Sequence, residues 1–262
     1  LRPGRYEVSG NSLLGFLRDL RNGRQAPVKM VITKLRTKED LARVAARLFE
    51  CDSAAMMTLL NDGKALAPLG LDTNTAMTAV IPDTYFINWD TPPEKLFLKL
   101  AAQRENFWTA DRKALAKALG LTTEQVYILA SIIEEESNKN DEKPRIASVY
   151  INRLRKPMRL GADPTVKFAL RDFTLRRIRE KHIEGSAASP YNTYTHSGLP
   201  PGPICTPSAK TIDAVLHAER TDYLYFCARP DLSGYHNFAA TGEEHLRNAR
   251  AYQKALDSLL VK

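Results

Sequence analysis

Residues 122–137, TTEQVYILASIIEEES, form a helix whose apolar body runs directly into three consecutive glutamates. Thr122 and Gln125 stand at the spacing of a capping box, which fixes the start of the helix. At about 100° per residue the apolar side chains centre on one side of the helix, and of the three acids only Glu136 falls in the middle of that side. The stretch therefore predicts a buried helix that carries one carboxylate inward at its carboxyl end.

A carboxylate on a buried face loses hydration, which raises its pKa, and the adjacent Glu134 and Glu135 add a smaller like-charge repulsion. A carboxyl group that is protonated near neutral pH is a candidate general acid. Ser137 could support it through a local hydrogen bond. The alternative is that the helix ends at Glu135, so that Glu136 turns to solvent or pairs with an arginine, and the sequence leaves both possibilities open.

The number of carboxyl groups decides which glycosidic chemistry such a site performs. Hydrolysis ordinarily uses two of them. One suffices where the substrate supplies the nucleophile, as when the 6-hydroxyl of a sugar closes onto its own anomeric carbon. Asp163, in GADPT, is the strongest candidate for a second carboxylate, although aspartate before proline is more often a turn or cap device.

Around this helix the chain has two regions of different character. Residues 28–88 read as strand, helix, helix and strand, from VKMVIT to DTYFI. Residues 89–262 are mainly helical, with a small sheet from YLYFCA and GYHNFA. Residues 1–27 read as the remnant of a preceding region, with a strand GRYEV and a helix capped by Asn11 or Ser12. The predicted fold class is α+β, with a small β-α-α-β module before a larger, mainly helical domain.

The segment 189–208, SPYNTYTHSGLPPGPICTPS, is dense in Pro, Gly, Ser, Asn and Thr and predicts an irregular loop. It is longer than most connectors, and structureless loops of this length in compact domains tend to be functional. Its tyrosines, amides and hydroxyls are the groups that a carbohydrate site uses. A rigid surface loop held by proline is the alternative.

Composition narrows the class of partner. Lys and Arg exceed Asp and Glu by 38 to 30, giving a net charge of +8, which favours a polyanionic partner. Diffuse basicity more often serves solubility, and because no nucleic-acid motif is present we expect no nucleic acid partner. The three cysteines lack the spacing of a metal site, no cofactor is expected, and whether Cys205 and Cys227 form a disulfide is left open.

Four motifs occur in order along the chain: ASIIEEES, IASVYINRLRKPMRLGADPTVKFAL, YNTYTHSGLPPGPICTPS, and YLYFCA followed by HNF. In this order and spacing they resemble the endolytic murein transglycosylases of the YceG-like family. The resemblance runs from about Pro82 to the carboxyl end, and PDTYF with the module before it resembles the LysM-like domain of that family. It implies a catalytic domain at 89–262 that cuts peptidoglycan strands internally and leaves 1,6-anhydro-N-acetylmuramic acid ends.

The resemblance also implies a bacterial envelope protein on the periplasmic face of the inner membrane, held by one N-terminal helix absent from this chain. The longest apolar run, VYILASII, has eight residues, far fewer than the roughly 20 that cross a bilayer. The implied partners are peptidoglycan glycan strands, with cell wall synthases as further candidates in wall assembly and strand termination.

The family's catalytic acid maps onto Glu136, the same position that the helical phase selects. Departures from the family pattern are Glu135, where a basic residue is usual, and Ser208, where glycine is usual. Two alternatives remain: a non-catalytic peptidoglycan-binding scaffold, and a two-carboxylate muramidase. The substrate-binding residues implied by the resemblance are Asn192, Tyr194, Asp163, Arg159, Ser137 and His236.

Overall fold

The computed structural model describes residues 3–8 and 12–260, which form two compact units that divide between Phe107 and Trp108. The fold class is α+β, as predicted, with two small antiparallel sheets among many helices. The first unit contains α1 (Leu13–Asn22), β1 (Val28–Val31), α2 (Lys38–Leu48), α3 (Ser53–Leu60), α4 (Gly63–Leu66), β2 (Thr84–Ile87) and α5 (Pro93–Phe107). The second contains α6 (Ala110–Leu119), α7 (Thr123–Glu136), α8 (Lys143–Arg155), α9 (Asp163–Ala169), α10 (Glu180–Gly185), α11 (Ala209–Leu216), β3 (Tyr225–Ala228), β4 (His236–Ala239) and α12 (Gly242–Leu260).

Between β1 and β2 the first unit contains the two predicted helices, α2 and α3, and in addition the short helix α4. Strands β1 and β2 pair antiparallel, with Val28 opposite Ile87, and α2 packs on α3. Thr37 and Asp40 form a capping box that starts α2, so this helix begins where its side chains satisfy the free amide groups. The core is apolar and fully enclosed, and it includes Met30, Leu41, Met56, Leu60 and Leu66.

Two expectations for this part of the chain differ from the structure. The predicted boundary after residue 88 differs from the division between Phe107 and Trp108, since the buried face of α5, including Leu96 and Leu100, packs in the core of the first unit. The predicted strand GRYEV is wrong, since residues 4–8 adopt no strand. The cap of α1 is Ser12, which accepts a hydrogen bond from the Gly15 amide at 3.3 Å, while Asn11 lies outside the described residues.

Helix α7 lies at the centre of the second unit. The predicted capping box of Thr122 and Gln125 is present, and the helix contacts α6, α8, α9 and α11. All eight residues from Val126 to Ile133 are buried, which means that the helix is enclosed on every side rather than on one face. Its neighbours therefore determine what each residue after Ile133 meets.

The second unit also contains a two-stranded sheet. Strands β3 and β4 pair antiparallel with Phe226 opposite Phe238, and α12 packs on both. Residues 189–208 contain no helix or strand, as predicted. The three cysteines are free thiols. Within residues 3–8 and 12–260, none of the helices is both long enough and apolar enough to cross a bilayer.

Candidate active site

Glu136 is the last residue of α7, and the chain turns into an extended conformation at Ser137. The alternative in which the helix ends one residue earlier is therefore wrong. Glu136 is half-buried and lines a cavity of about 420 Å³. The other residues that line this cavity are Tyr150, Arg153, Gly161, Asp163, Tyr194, Tyr225, Phe226 and His245.

The pKa of Glu136 is raised to about 7, chiefly because burial removes water from the carboxylate. The Tyr150 hydroxyl and the nearby positive charges of Lys167 and Arg153 oppose that rise, whereas the negative charge of Asp163 adds to it. The predicted increase is present, but the repelling carboxylate is Asp163 and not a sequence neighbour. Near neutral pH this carboxyl group holds a proton in a large fraction of molecules.

Hydrogen bonding leaves one oxygen of Glu136 available. The Tyr150 hydroxyl donates to Oε1 at 2.6 Å, while no residue in the described part of the chain donates to Oε2. Burial and the nearby Glu136 charge raise the pKa of Tyr150 well above its ordinary value, so the phenol keeps its proton and remains a donor. The site thus presents a carboxyl group that is fixed at one oxygen and able to exchange a proton at the other.

Asp163 is both the first residue of α9 and part of the cavity wall. Its Oδ1 accepts a hydrogen bond from the Tyr194 hydroxyl at 2.6 Å. The pKa of Tyr194 is raised, chiefly by burial and secondly by this hydrogen bond. Asp163 therefore lies in the cavity, and its side chain bonds to Tyr194 rather than to a backbone amide at the start of α9. In the described residues no three His, Cys, Asp or Glu side chains form a group that could hold a metal ion.

An aromatic wall, made of Tyr225, Phe226 and His245, closes another side of the cavity. The rings of Tyr225 and His245 stack at 5.1 Å between centroids and 19° between planes, and Phe226 meets Tyr150 edge to face at 5.8 Å. Arg153 lies 5.5 Å from the Tyr225 ring centre. Flat aromatic faces beside a carboxyl group suit the CH faces of a sugar.

Arg153 also holds the backbone around the cavity. Its guanidinium donates to the carbonyl of Leu224 at 2.6 Å and to that of Leu160 at 2.5 Å. One side chain thereby connects α8 to the segment entering β3 and to the segment preceding α9. The positive charge is fixed at the cavity wall as a result.

Two predicted substrate-binding residues lie outside the cavity lining. Asn192 is fully buried and donates to the Ile183 carbonyl and the Ser186 hydroxyl, each at 2.9 Å, while its oxygen accepts from the Tyr194 amide at 2.9 Å. Arg159 is exposed and donates to the Tyr194 carbonyl at 2.9 Å. Both residues hold the loop that presents Tyr194, and their contact with a glycan stays a prediction.

Ser137 and His236 also meet protein rather than the cavity. Both bond to the buried carboxylate of Glu142, Ser137 through its hydroxyl at 2.6 Å and His236 through Nδ1 at 2.8 Å. Their role in substrate binding stays a prediction, and in this structure both side chains bond to Glu142. The cavity itself contains Glu136, Asp163 and Tyr194 from the predicted set.

Besides Gly161, sequence reasoning missed five residues whose side chains line the cavity. Tyr150 and Arg153 stand three apart on α8, a spacing that places them on one helix face, so this pair left a usable signal. The other three come together only through tertiary packing of β3 and α12, and no local pattern marks them. They are Tyr225, Phe226 and His245.

Comparisons with known proteins give a family match and named relatives. The chain matches the model of the YceG-like family over residues 1–251. It is 36% identical over 174 residues to the endolytic murein transglycosylase of Bacillus subtilis (strain 168), a match covering 66% of this chain and 47% of the relative. The endolytic murein transglycosylase of Streptococcus pneumoniae serotype 2 (strain D39 / NCTC 7466) is 31% identical over 173 residues, covering 64% of this chain and 31% of that protein.

The fold has a close counterpart among solved structures. A crystal structure of a YceG-like protein from Listeria monocytogenes superposes with a TM-score of 0.69 at 28% identity, covering 92% of this chain and 83% of that one. The chain spans about half the length, or less, of the two transglycosylase relatives. With a family match over nearly the whole chain and a shared fold, this protein belongs to the YceG-like family.

Proposed function

We propose that this chain is an endolytic peptidoglycan lytic transglycosylase, a lyase that cleaves the β-1,4 bond between N-acetylmuramic acid and N-acetylglucosamine within glycan strands. The observation that carries the proposal is Glu136: a cavity-lining carboxyl with a pKa of about 7 and an oxygen to which none of the described residues donates. A general acid works best when its pKa lies near the working pH. The names of the two transglycosylase relatives support the same activity.

In the first step Glu136 donates its proton to the glycosidic oxygen. The bond between C1 of the muramyl unit and that oxygen breaks, and the leaving glucosaminyl unit departs with a free 4-hydroxyl. The resulting Glu136 carboxylate is stabilised by the Tyr150 hydroxyl at 2.6 Å and by the nearby charges of Lys167 and Arg153. These groups favour the ionised form that the step creates.

In the second step the 6-hydroxyl of the muramyl unit attacks C1, and the Glu136 carboxylate accepts its proton. The product is the 1,6-anhydro end, no water is consumed, and the acid returns to its starting form. The aromatic wall of Tyr225, Phe226 and His245 would hold the sugar rings by their CH faces, while Tyr194 stands beside Asp163. Positioning of this kind supplies a substantial part of a catalysed rate.

Asp163 favours one competing function. Because it lines the same cavity as Glu136, a two-carboxylate muramidase is possible on residue content, with Asp163 as nucleophile or as the base that activates water. Its Oδ1 already accepts the Tyr194 hydroxyl, which favours a supporting role. The two reactions differ by one molecule of water in the product.

Digestion of purified sacculi followed by mass spectrometry of the released fragments tests the proposal. We expect anhydro-muramyl ends from the wild-type chain and a release about 10² to 10⁴ times slower from Glu136→Gln. Reducing ends heavier by one water would identify a muramidase instead. Binding to sacculi with no new chain ends in either variant would identify a peptidoglycan-binding scaffold.

We also propose the cellular context that the family suggests. The paired strands β1 and β2, with α2 and α3 and the short α4 between them, support a LysM-like module in the first unit. A single N-terminal membrane anchor beyond this chain and a periplasmic location would place the catalytic unit at the growing wall, where cell wall synthases are candidate partners. Fractionation of cells that express the full-length protein, with protease access from the periplasm, tests this context.

A further inference from the structure

A buried carboxylate, Glu142, joins three separate segments next to the proposed acid. It stands at the residue before α8 with 4% of its surface exposed. Its Oε1 accepts the Ser137 hydroxyl at 2.6 Å and His236 Nδ1 at 2.8 Å, and its Oε2 accepts the His236 backbone amide at 3.1 Å. The end of α7, the start of α8 and the start of β4 therefore meet at one side chain.

A carboxylate removed from water needs hydrogen bonds to offset its lost hydration. Glu142 has three of them, and all three come from donors whose positions it fixes in return. Because an ionised carboxylate only accepts, the bond to His236 requires that Nδ1 carry the proton. Hydrogen bonds to a charged acceptor are stronger than neutral ones, which makes this junction a stiff point in the unit.

The junction reaches Glu136 by two short routes. Ser137 directly follows Glu136 in the chain, and its Oγ also accepts the Lys139 amide at 3.0 Å, which holds the backbone as it leaves α7. His236 packs edge to face against Phe226 at 5.2 Å, and Phe226 packs in the same manner on Tyr150, the hydroxyl donor to Glu136. One route fixes the backbone of the acid and the other supports its hydrogen-bond donor.

We propose that Glu142 is a positioning residue for the general acid, and that Ser137 and His236 act through Glu142 rather than by touching the glycan. This inference rests on the proposed function, because it assigns Glu142 a role toward the acid of that reaction. It also gives a reason for a hydroxyl residue at 137: the side chain must donate to Glu142 and accept from Lys139 at the same time.

Glu142→Gln is the sharpest change because it keeps the shape. Each carboxylate oxygen of Glu142 accepts from a donor, so an amide nitrogen in either place faces a donor and loses that bond. We expect the end of α7 to loosen and water to reach Glu136, which lowers its pKa toward the ordinary value. The other titratable or charged groups near Glu136 remain in place: Tyr150, Arg153, Asp163, Lys167, Tyr194, Tyr225 and His245.

The test is the pH dependence of kcat/KM for anhydro-product release from sacculi, which reports groups of the free enzyme. Activity of a general acid is lost as pH rises through its pKa. We expect Glu142→Gln to move that loss to lower pH by about one unit and to reduce kcat by about 10- to 100-fold, the size of effect that a small misplacement causes. Ser137→Ala should shift the loss in the same direction, and Ser137→Thr, which retains the hydroxyl, should restore the wild-type profile.

The matched control is Asp213→Asn, which removes the ion pair between Arg112 and Asp213 at 2.8 Å elsewhere in the same unit. It should lower the melting temperature without moving the pH profile. A Glu142→Gln profile that coincides with wild type, or Ser137→Thr behaving like Ser137→Ala, would overturn the inference. If Glu142→Gln does not fold, the two Ser137 variants decide. Wild-type activity in Glu136→Gln would instead remove the proposed function itself.

Discussion

Two glutamates at the end of one helix have opposite electrostatics. Glu134 is pinned: its Oε2 receives hydrogen bonds from Lys143 and Ser208, each at 3.1 Å, and from the Thr211 hydroxyl. Burial raises the pKa of Glu134, but these donors and the lysine charge outweigh it, and the net pKa is lowered. Glu136, two residues on, has one hydroxyl donor and a pKa of about 7.

The difference shows that burial alone does not give a glutamate a raised pKa. About 200° of helical turn separates the two side chains, so Glu134 faces α11 and the start of α8, whereas Glu136 faces the cavity. Three donors, one of them the Lys143 ammonium, hold the Glu134 carboxylate in its charged form, which stabilises the fold. Glu136 has fewer donors and lies near the negative charge of Asp163, so its pKa stays close to neutral pH. The same residue type thus serves structure at one position and the proposed chemistry at the other.

Glu136→Gln should have the largest effect on activity. It keeps the side-chain shape and removes the proton that the reaction needs, so anhydro-product release should fall by about 10² to 10⁴. Rates of fragment release from sacculi, measured by mass spectrometry, check this value. Glu134→Gln, assayed per folded molecule, is the matched control and should keep most of the activity. Equal losses of activity in Glu136→Gln and Glu134→Gln would contradict the different roles of the two glutamates.

Glu134→Gln should have the largest effect on stability. It leaves the Lys143 ammonium, whose side chain is 5% exposed, without its anion, and breaking a buried pair of this kind costs about 3 kcal/mol. Urea unfolding at neutral pH measures the loss. Replacing both partners, as in Glu134→Gln with Lys143→Met, should recover part of it, because no unpaired charge remains. A loss of stability under about 1 kcal/mol for the single variant would contradict a stabilising ion pair between Glu134 and Lys143.

The pH dependence of stability should also separate the two acids. The pKa of Glu136 is raised in the folded state, so its contribution is full below its unfolded value and is lost as pH rises through about 7. Glu136→Gln, which does not titrate, should therefore be more stable than wild type by about 3 kcal/mol at pH 8 and equal to it at pH 4. Thermal melts across that range measure the gap, and a constant gap would contradict the raised pKa.

Smaller changes around Glu136 should move its titration in opposite directions. Tyr150→Phe removes a hydrogen bond that lowers the pKa of Glu136, so the loss of activity should shift to higher pH. Asp163→Asn removes a repelling charge, so the loss should shift to lower pH. Each shift should be below about one pH unit. The pH profiles of kcat/KM measure both shifts. Shifts of the same sign would contradict the opposite effects of Tyr150 and Asp163 on the pKa of Glu136.

Local patterns in the sequence predicted much of this architecture. The capping box at Thr122, the order of helices around α7 and the two strand pairs follow from side-chain spacing, and the structure contains them. The helical phase singled out Glu136 although α7 is buried on every side, and it gave no hint that Glu134 is also enclosed. The helical phase describes positions around one helix only, whereas the residues that bond to Glu134 lie at the start of α8 and in or just before α11.

The remaining features of the site depend on contacts between distant parts of the chain. Glu142 meets His236 across 94 positions, and His245 reaches the cavity only because α12 packs on β3. The family resemblance placed Ser137, His236 and Asn192 near the site, yet their bonds to protein groups could not be deduced from residue type. Buried polar partners are determined by tertiary packing, which a local pattern does not encode.

The most direct measurement is the titration of the Glu136 carboxyl itself. Carbon-13 labelling of glutamate side chains, with Glu136→Gln to assign the signal, allows its midpoint to be read from the chemical shift across pH 3 to 9. We predict a midpoint near 7, well above that of an ordinary glutamate. A midpoint near 4.5 would show that Glu136 is a charged carboxylate at neutral pH, and it would contradict the proposed general acid.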